Sequence, residues 1–310
     1  MESRKEFLHK LFGAAAFATL AATPAELFAR KEQTKITILH TNDVHSHIDP
    51  FPDNDPKYPG LGGVARRAAL IQYIRRIEPN VLLLDAGDIF QGTPYFNKWG
   101  GEVELKLMSK MGYDASTIGN HDFDNGLLGL SSQLIHANFP LINCNYDFTD
   151  SVMQGKTIPY KIFEKDGIKI GVFGIGIELK GLVDKKNYLN TQYLDPVKKS
   201  AEFAHLLKKE LKCDLVICLS HLGYKYPDDK LSDLVLARES QNIDVIIGGH
   251  THTFLDKPQV LANRKNKEVI VSQAGWAGIN LGRIDITIEK NSKRTTSEGH
   301  SIKVLNNANF

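Results

Sequence analysis

The sequence predicts an α/β fold in which helices cover both faces of buried β-sheets. Past residue 34, apolar stretches of strand length alternate with amphipathic stretches of helical length. The strand-like stretches are mostly continuously apolar, which is typical of strands that helices bury on both faces. The chain has 310 residues, of which 42% are hydrophobic and 24% charged, and this composition is that of a globular protein rather than a disordered or integral membrane protein.

Strand and helix signals alternate in order along the chain. Apolar and β-branched runs predict strands at residues 35–40, 80–86, 113–118, 140–147, 169–177, 213–220, 243–249, 268–275 and 282–290. Apolar residues at helical spacing predict helices at residues 63–77, 102–112, 127–139, 195–212 and 229–240. Gly112 ends the second of these helices, and the segment 51–63, rich in Pro, Asp and Asn, is predicted to be a loop.

Residues 1–29 are predicted to be a signal peptide that is absent from the mature protein. Arg4 and Lys5 precede an apolar run of about 12 residues, which suits a signal sequence and is too short to span a bilayer. The start resembles a twin-arginine export signal, although Lys5 stands where the second arginine is expected. Twin-arginine export and general secretion therefore both remain open, and we expect an exported, periplasmic protein whose mature form has no membrane span.

The remaining chain is predicted to form one domain, residues 34–290, followed by a polar and partly disordered tail, residues 291–310. The net charge of +2 comes without a basic patch, which argues against binding of a nucleic-acid duplex. An odd count of cysteines makes no disulfide framework. Cys144, Cys213 and Cys218 lie in apolar runs, and we expect them to be buried thiols.

Side chains of metal-ligating types follow five of the predicted strands. In chain order they are Asp43 and His45, Asp88, Asn120, His221, and the pair His250 and His252. Taken singly, an Asp after a strand is more often a turn or cap residue, and a His is more often structural. Five such strand ends together predict one site, because ligand sites in α/β folds lie beyond the carboxyl ends of the strands.

The residue types predict a site for two divalent metal ions. Imidazole nitrogens and carboxylate oxygens, with no thiolate among them, suit Zn, Mn, Fe, Co or Ni. The donors are too many for one tetrahedral ion and suit two ions that share a carboxylate, for which Asp88 is the natural candidate. Two ions that share a carboxylate lower the pKa of bound water and hold a phosphate for in-line attack. We expect a nearby histidine to protonate the leaving oxygen, and His121 with Asp124 three residues later is the candidate pair.

Several motifs resemble one family. Residues 36–288 are similar to the metallophosphatase domain of 5′-nucleotidases, in the calcineurin-like phosphoesterase superfamily. The motifs that carry this resemblance are HTNDVHSHI, LLLDAGDIFQGTPYF, MGYDASTIGNHDFDNG, LSHLGY, GGHTHTFL and QAGWAGINLGRIDI. The resemblance implies a four-layered α/β/β/α sandwich of the metallo-dependent phosphatase type, with the domain at residues 34–290.

The resemblance also implies a role for each site residue. One metal ion would be held by Asp43, His45, Asp88 and His252. The other would be held by Asp88, Asn120, His221 and His250. His121 and Asp124 match the catalytic pair, and Asn120 also contacts the phosphate. Ser46 departs from the family pattern, which has Gly there. The C-terminal nucleotide-binding domain usual in 5′-nucleotidases is expected to be absent, so a separately encoded domain could supply it.

Three functions are consistent with the sequence. The first is a 5′-nucleotidase-type phosphomonoesterase that releases phosphate from nucleoside monophosphates. The second is a metal-dependent phosphodiesterase acting on 2′,3′-cyclic nucleotides, or a broad phosphatase. The third, an inactive metal-binding subunit of a partner complex, is disfavoured because no ligand is missing. Trp276, between Gly275 and Gly278, lies either at the mouth of the site or over a sheet edge.

Overall fold

Two β-sheets form the centre of the protein in the computed structural model, which describes residues 33–289 and 295–305. The first sheet has the strand order β13-β12-β1-β2-β3 and the second has the order β10-β11-β9-β8-β6-β5, while β4 and β7 form a separate small sheet. The strands are β1 Gln33–Thr41, β2 Val81–Asp85, β3 Ala115–Ser116, β4 Tyr146–Asp147, β5 Tyr160–Lys165, β6 Ile168–Ile175, β7 Gln192–Tyr193, β8 Leu215–Ser220, β9 Val245–Gly248, β10 Gln259–Ala262, β11 Glu268–Ser272, β12 Asn280–Glu289 and β13 Thr295–Lys303.

Helices connect these strands. They are α1 Val64–Ile77, α2 Pro94–Trp99, α3 Glu102–Met111, α4 Gly126–Gln133, α5 Lys185–Tyr188, α6 Pro196–His205 and α7 Asp233–Glu239. Short 3₁₀ segments span His121–Phe123 and Leu134–His136, and a π-helical turn spans Leu206–Glu210. Helices were predicted at all five positions of α1, α3, α4, α6 and α7, and the structure confirms each of them with shifted ends. Helices α2 and α5 were not predicted.

Three apolar clusters define four layers. The cluster between the sheets joins residues of both, among them Ile38, Leu84, Val172 and Ile217. A second cluster packs the outer face of the first sheet against α1, α3 and α4, and a third packs the outer face of the second sheet against α6 and α7. Since apolar strands buried on both faces require cover on each side, the predicted α/β/β/α sandwich is confirmed. The three cysteines are buried free thiols, as predicted.

Parallel pairing brings the carboxyl ends of the central strands to a common edge. In the first sheet β1, β2 and β3 are parallel neighbours, and in the second sheet β6, β8, β9 and β11 are parallel neighbours. Parallel strands point their carboxyl ends in the same direction. The loops that leave β1, β2, β3, β8 and β9 can therefore meet, and these loops carry the predicted ligands.

The predicted strand at residues 140–147 is wrong for most of its length. Only Tyr146–Asp147 is a strand, while Leu141 and Ile142 form single bridges with Ser116 and Ile158. The segment crosses between the sheets: the Ile142 N–H donates to Ser116 O at 2.7 Å, and the Cys144 N–H donates to Gly174 O at 2.8 Å. Because the chain changes sheet within three residues, neither sheet pairs with it along its length.

Residues 295–303 of the polar tail form a strand that the sequence analysis did not predict. These residues form β13, which pairs antiparallel with β12 over Thr295–Lys303 and closes the outer edge of the first sheet. Most of its side chains are exposed, so the strand needs no apolar alternation and its sequence carries no strand signal. The first sheet therefore continues past residue 290.

The predicted signal peptide, residues 1–29, lies outside the described residues and stays a prediction. Within residues 33–289 and 295–305, no helix is both long and apolar enough to cross a membrane.

Candidate metal centre

All the predicted site residues lie at the common edge of the two sheets. Each loop that follows β1, β2, β3, β8 or β9 contributes to the site. The seven predicted ligands fall into two adjacent groups, with the predicted catalytic pair beside them.

The first group contains Asp43, His45 and His252. Their ligand atoms lie within 4.8 Å of one another. The Nε2 atoms of His45 and His252 are 3.0 Å apart, and Asp43 Oδ1 lies 3.5 Å from His252 Nε2 and 4.0 Å from His45 Nε2. These three side chains converge on one point although His45 and His252 are 207 residues apart in the sequence, which is the geometry that a single cation needs.

The second group contains Asp88, His221 and His250. Their ligand atoms also lie within 4.8 Å of one another, and His221 Nε2 is 3.1 Å from Asp88 Oδ2. Asn120 joins this group because its Oδ1 lies 2.8 Å from His250 Nδ1. The structure therefore brings together the same four residues that the resemblance assigns to one ion.

Asp88 lies between the two groups. Its Oδ2 is 3.1 Å from His221 of the second group and 3.8 Å from His45 of the first. Asp43 Oδ1 in turn lies 4.0 Å from His221 Nε2. This position supports the prediction that Asp88 is the shared carboxylate, since a bridging ligand must reach both ions.

Two histidines are oriented in the manner of metal ligands. The Nδ1 of His221 lies 2.7 Å from the carbonyl oxygen of Ala86, and the Nδ1 of His45 lies 3.2 Å from that of Phe90. A carbonyl can only accept, so in the neutral imidazole each Nδ1 carries the proton and the Nε2 lone pair is directed into the site. His221 Nε2 is fully buried, and no group among the described residues is aligned to form a hydrogen bond with it, although Asp88 Oδ2 lies 3.1 Å away. A buried nitrogen placed in this way beside two carboxylates fits a metal ion.

The backbone at the site is strained. Asp43, His45, Asp88, His250 and His252 all have positive φ angles, between 49° and 73°. Residues with a Cβ rarely adopt this left-handed conformation, and such outliers cluster at functional sites. Five of the seven predicted ligands have this strained backbone. The loop conformations therefore place these side chains in the site at the expense of the φ angles that the residues prefer.

Electrostatic coupling within the site is strong. Burial would raise the pKa of Asp88, but the charge and contact of His221 lower it well below the ordinary value. Burial likewise opposes protonation of His221, yet Asp88 raises the pKa of His221 to about 10. Buried carboxylates require compensating positive charge. The site is thus built to hold cations.

The predicted catalytic pair is formed. His121 Nδ1 lies 2.9 Å from Asp124 Oδ2, and this hydrogen bond raises the pKa of His121 above its ordinary value. The half-buried His121 ring stands 5.2 Å from the His45 ring, centroid to centroid. Its backbone N–H donates to Asp88 Oδ1 at 2.8 Å. The imidazole is therefore held at the edge of the metal groups without being one of their members.

Asp122 is a site residue that the sequence analysis did not single out. Its buried carboxylate accepts four backbone N–H groups, from Asp88, Ile89, Phe90 and Gly119, at 2.8–3.2 Å. Burial, together with the charge of Asp88, raises the pKa of Asp122 to about 7. Asp122 joins the loops after β2 and β3, which carry Asp88 and Asn120. Its place within the GNHDFD motif was the available signal.

We expect Asp122→Ala to weaken both folding and metal binding. Loss of a buried carboxylate that satisfies four donors should lower the free energy of unfolding by about 3 kcal/mol, and metal affinity should fall about 10–100-fold because the ligand loops lose their support. Urea unfolding and metal titration measure the two effects. Asp114→Ala is the matched control, because Asp114 accepts one backbone N–H, from Leu83, outside the site. Equal metal affinity in both variants would contradict the assigned role.

Asn42 and Gln273 were also missed by the sequence analysis. Asn42 Nδ2 donates to Asp43 Oδ2 and to Gly275 O, both at 2.6 Å, and Asn42 Oδ1 accepts from the Ala274 N–H at 2.8 Å. Gln273 Nε2 donates to Gly249 O at 2.6 Å, and its Oε1 accepts from the Thr253 N–H at 3.0 Å. These two amides connect the loop after β11 to the ligand loops by hydrogen bonds. The bonded residues are distant in the sequence, so no local sequence pattern predicts these contacts.

Gly119 packs closely against Asp88. A Cβ at this position would lie 2.2 Å from Asp88 Oδ1 and 2.5 Å from the Asp88 nitrogen. We expect Gly119→Ala to displace Asp88, to lower the free energy of unfolding by about 1–3 kcal/mol as an overpacked core site does, and to reduce metal content. Thermal unfolding and elemental analysis of the purified variant measure these effects. A variant with full metal content would show that Asp88 is not confined by Gly119.

Comparison with known proteins adds family information to this geometry. The family profile described as calcineurin-like phosphoesterase matches residues 36–254. A snake venom 5′-nucleotidase from Gloydius brevicauda is 35% identical over 294 residues, which are 88% of this chain and 48% of that protein. The trifunctional nucleotide phosphoesterase protein YfkN from Bacillus subtilis is 33% identical over 82% of this chain and 18% of its own length.

A solved structure shows the same fold. The crystal structure of a 5′-nucleotidase precursor from Thermus thermophilus superposes with a TM-score of 0.79 at 31% identity, covering 87% of this chain and 54% of that one. The chain spans about half the length of the snake venom relatives it matches, at 48–53% of each.

Proposed function

The chain belongs to the calcineurin-like phosphoesterase family, and we propose that it is a two-metal phosphomonoesterase of the 5′-nucleotidase type, releasing phosphate from nucleoside monophosphates. One observation carries the proposal. Two groups of His and Asp ligands meet at Asp88, and the His121–Asp124 pair stands beside them. A shared carboxylate next to a proton donor suits two-metal phosphoryl transfer to water.

We assign each ion its own ligand set within this arrangement. One ion would be held by Asp43, His45, Asp88 and His252. The second ion would be held by Asp88, Asn120, His221 and His250. When bound, two divalent ions supply an activated water and neutralise the charge of the phosphate. The metal identity is proposed as Zn, Mn, Fe, Co or Ni, because these ions accept mixed imidazole and carboxylate ligands.

The residues of the chain perform the remaining steps. Asn120, whose amide faces the second group, contacts a phosphate oxygen. His121 gives a proton to the leaving ester oxygen as the P–O bond breaks, which converts a poor alkoxide leaving group into an alcohol. Asp124 accepts a hydrogen bond from His121 Nδ1, so it selects the tautomer and stabilises the charged imidazole. Asp122 and Asn42 hold the ligand loops in place through their hydrogen bonds.

The names of the relatives support the nucleotide substrate. The snake venom relatives and the Thermus structure are both described as 5′-nucleotidases. Those proteins are about twice as long as the matched region. Export to the periplasm is proposed from residues 1–29.

A second candidate function is favoured by one relative. The Bacillus subtilis protein is named a trifunctional nucleotide phosphoesterase, a name that covers more than one activity on nucleotide esters. The alternative that we propose is phosphodiesterase activity on 2′,3′-cyclic nucleotides. The same two ligand groups would serve either ester, because the chemistry at phosphorus is shared.

Steady-state hydrolysis by the purified chain with added Mn²⁺ or Zn²⁺ tests both candidate functions. The substrates are AMP, a 2′,3′-cyclic nucleotide and bis-p-nitrophenyl phosphate. Preference for AMP supports the proposal, and activity mainly on the two diesters replaces it with the alternative. The absence of activity on all three, in protein shown to hold two ions, would overturn both.

A further inference from the structure

An aromatic cluster lies next to the first ligand group. We define the cluster as Phe51, Tyr58, Phe254 and Trp276. The Trp276 ring lies 5.9 Å from the Phe51 ring and 6.1 Å from the Tyr58 ring, both in edge-to-face geometry. Tyr58 and Phe254 are 6.0 Å apart and tilted by 31°. The cluster therefore joins the loop after β1 to the loops after β9 and β11.

The cluster is continuous with the metal centre. Trp276 stacks on the ligand candidate His252 with centroids 5.5 Å apart and an interplanar angle of 3°. Its loop is held against the ligands by the backbone, since the Ala277 N–H donates to Asp43 O at 2.8 Å. The Phe254 ring in turn packs on the backbone of Gly275, where an added Cβ would lie 2.3 Å from the ring. These contacts hold the rings beside the first ligand group.

These rings are not part of the hydrophobic core. None of the four belongs to the three core clusters found among the described residues. Phe254 is 39% exposed and the other three rings are half-buried. Aromatic rings held rigidly at the surface beside a ligand site usually contact the ligand.

We propose that the aromatic cluster is a subsite for the nucleobase of the leaving nucleoside, so that this domain itself prefers nucleotides to simple sugar phosphates. The inference rests on the proposed function, because the cluster acts on the ester that the metal centre cleaves. A purine or pyrimidine presents an aromatic face, and stacking on protein rings stabilises it with little dependence on its identity. The subsite therefore selects an aromatic leaving group without selecting a particular base.

A comparison of two substrates tests the subsite. AMP and ribose 5-phosphate share the reacting ester and differ in the base. In Tyr58→Ala and Phe254→Ala, the ratio of kcat/KM for AMP to that for ribose 5-phosphate should fall about tenfold, mainly through KM for AMP, because stacking on one ring is lost. Phe163→Ala is the matched control, since Phe163 is a partly buried ring of the edge strand β5 that packs on the inter-sheet core. It should leave the ratio at the wild-type value.

A binding measurement separates this inference from the proposed function. The chain has two tryptophans, so a Trp99→Phe background leaves Trp276 as the sole indole reporter. Adenosine, which has no phosphate, should quench its fluorescence saturably, ribose should not, and Tyr58→Ala should weaken the effect. Hydrolysis of both esters with an unchanged ratio and no quenching would overturn the subsite and leave the cluster as a surface for a protein partner. Quenching by adenosine without hydrolysis of either ester would support the subsite and overturn the proposed function.

Discussion

Asp88→Asn is expected to reduce phosphoesterase activity by about 10³-fold or more. The carboxylate lies between both ligand groups, 3.1 Å from His221 and 3.8 Å from His45. An amide carries no charge and offers a single oxygen, so it cannot compensate two cations. Charge stabilisation by metal ions amounts to several kcal/mol, and at about 1.4 kcal/mol per tenfold change in rate this loss corresponds to the stated factor. The measurements are kcat/KM for AMP and the metal content per chain.

Metal content distinguishes the assigned role from a loss of folding. The variant should bind fewer than two ions, while circular dichroism and the cooperativity of unfolding stay those of the parent chain. Asp114→Asn is the control: its carboxylate also accepts a buried backbone N–H, but it lies outside both ligand groups. Retention of two ions and of full activity by Asp88→Asn would contradict the assignment of Asp88 as the shared ligand.

His121→Ala is expected to lower kcat for AMP by about 10²–10⁴-fold, which is the range for removal of a general acid. Metal content should not change, because His121 belongs to neither ligand group. The loss should depend on the leaving group. An alkoxide such as the 5′-oxygen of adenosine needs a proton, whereas p-nitrophenolate leaves readily without one. Hydrolysis of p-nitrophenyl phosphate should therefore be impaired much less than hydrolysis of AMP.

Asp124→Asn provides an intermediate case. The amide still contacts His121 but no longer stabilises its charged form, so the loss in kcat should be smaller than in His121→Ala and should follow the same leaving-group trend. Equal losses on AMP and p-nitrophenyl phosphate in His121→Ala would show that His121 positions the phosphate instead of donating the proton.

Much of the candidate site could be predicted from sequence because parallel strands share a direction. Once β1, β2, β3, β8 and β9 are recognised as buried strands, the residues that follow them must gather at one edge. His, Asp and Asn at five such positions are then enough to predict a metal centre. The same apolar pattern predicts helices on both faces of the sheets, since continuously apolar strands require cover on both faces. Family motifs added the division of the ligands into two sets.

The supporting residues could not be predicted in this way. The amide of Asn42 reaches Gly275, 233 residues later, and Asn120 reaches His250, 130 residues later. Local periodicity carries no information on such contacts. Strand β13 was not predicted for a related reason. Its side chains are mostly exposed, and only its backbone pairing with β12 defines it as a strand.

The α/β class with buried strands and the chemical class of the site follow from the sequence, because apolar periodicity and residue type at strand ends are local properties. Three features are fixed only in the folded protein: Asp88 lies between both ligand groups, Asp122 joins two ligand loops, and Trp276 stacks on His252. Each of these depends on where loops from different strands come to rest, and that position is set by packing and hydrogen bonds between segments distant in the chain.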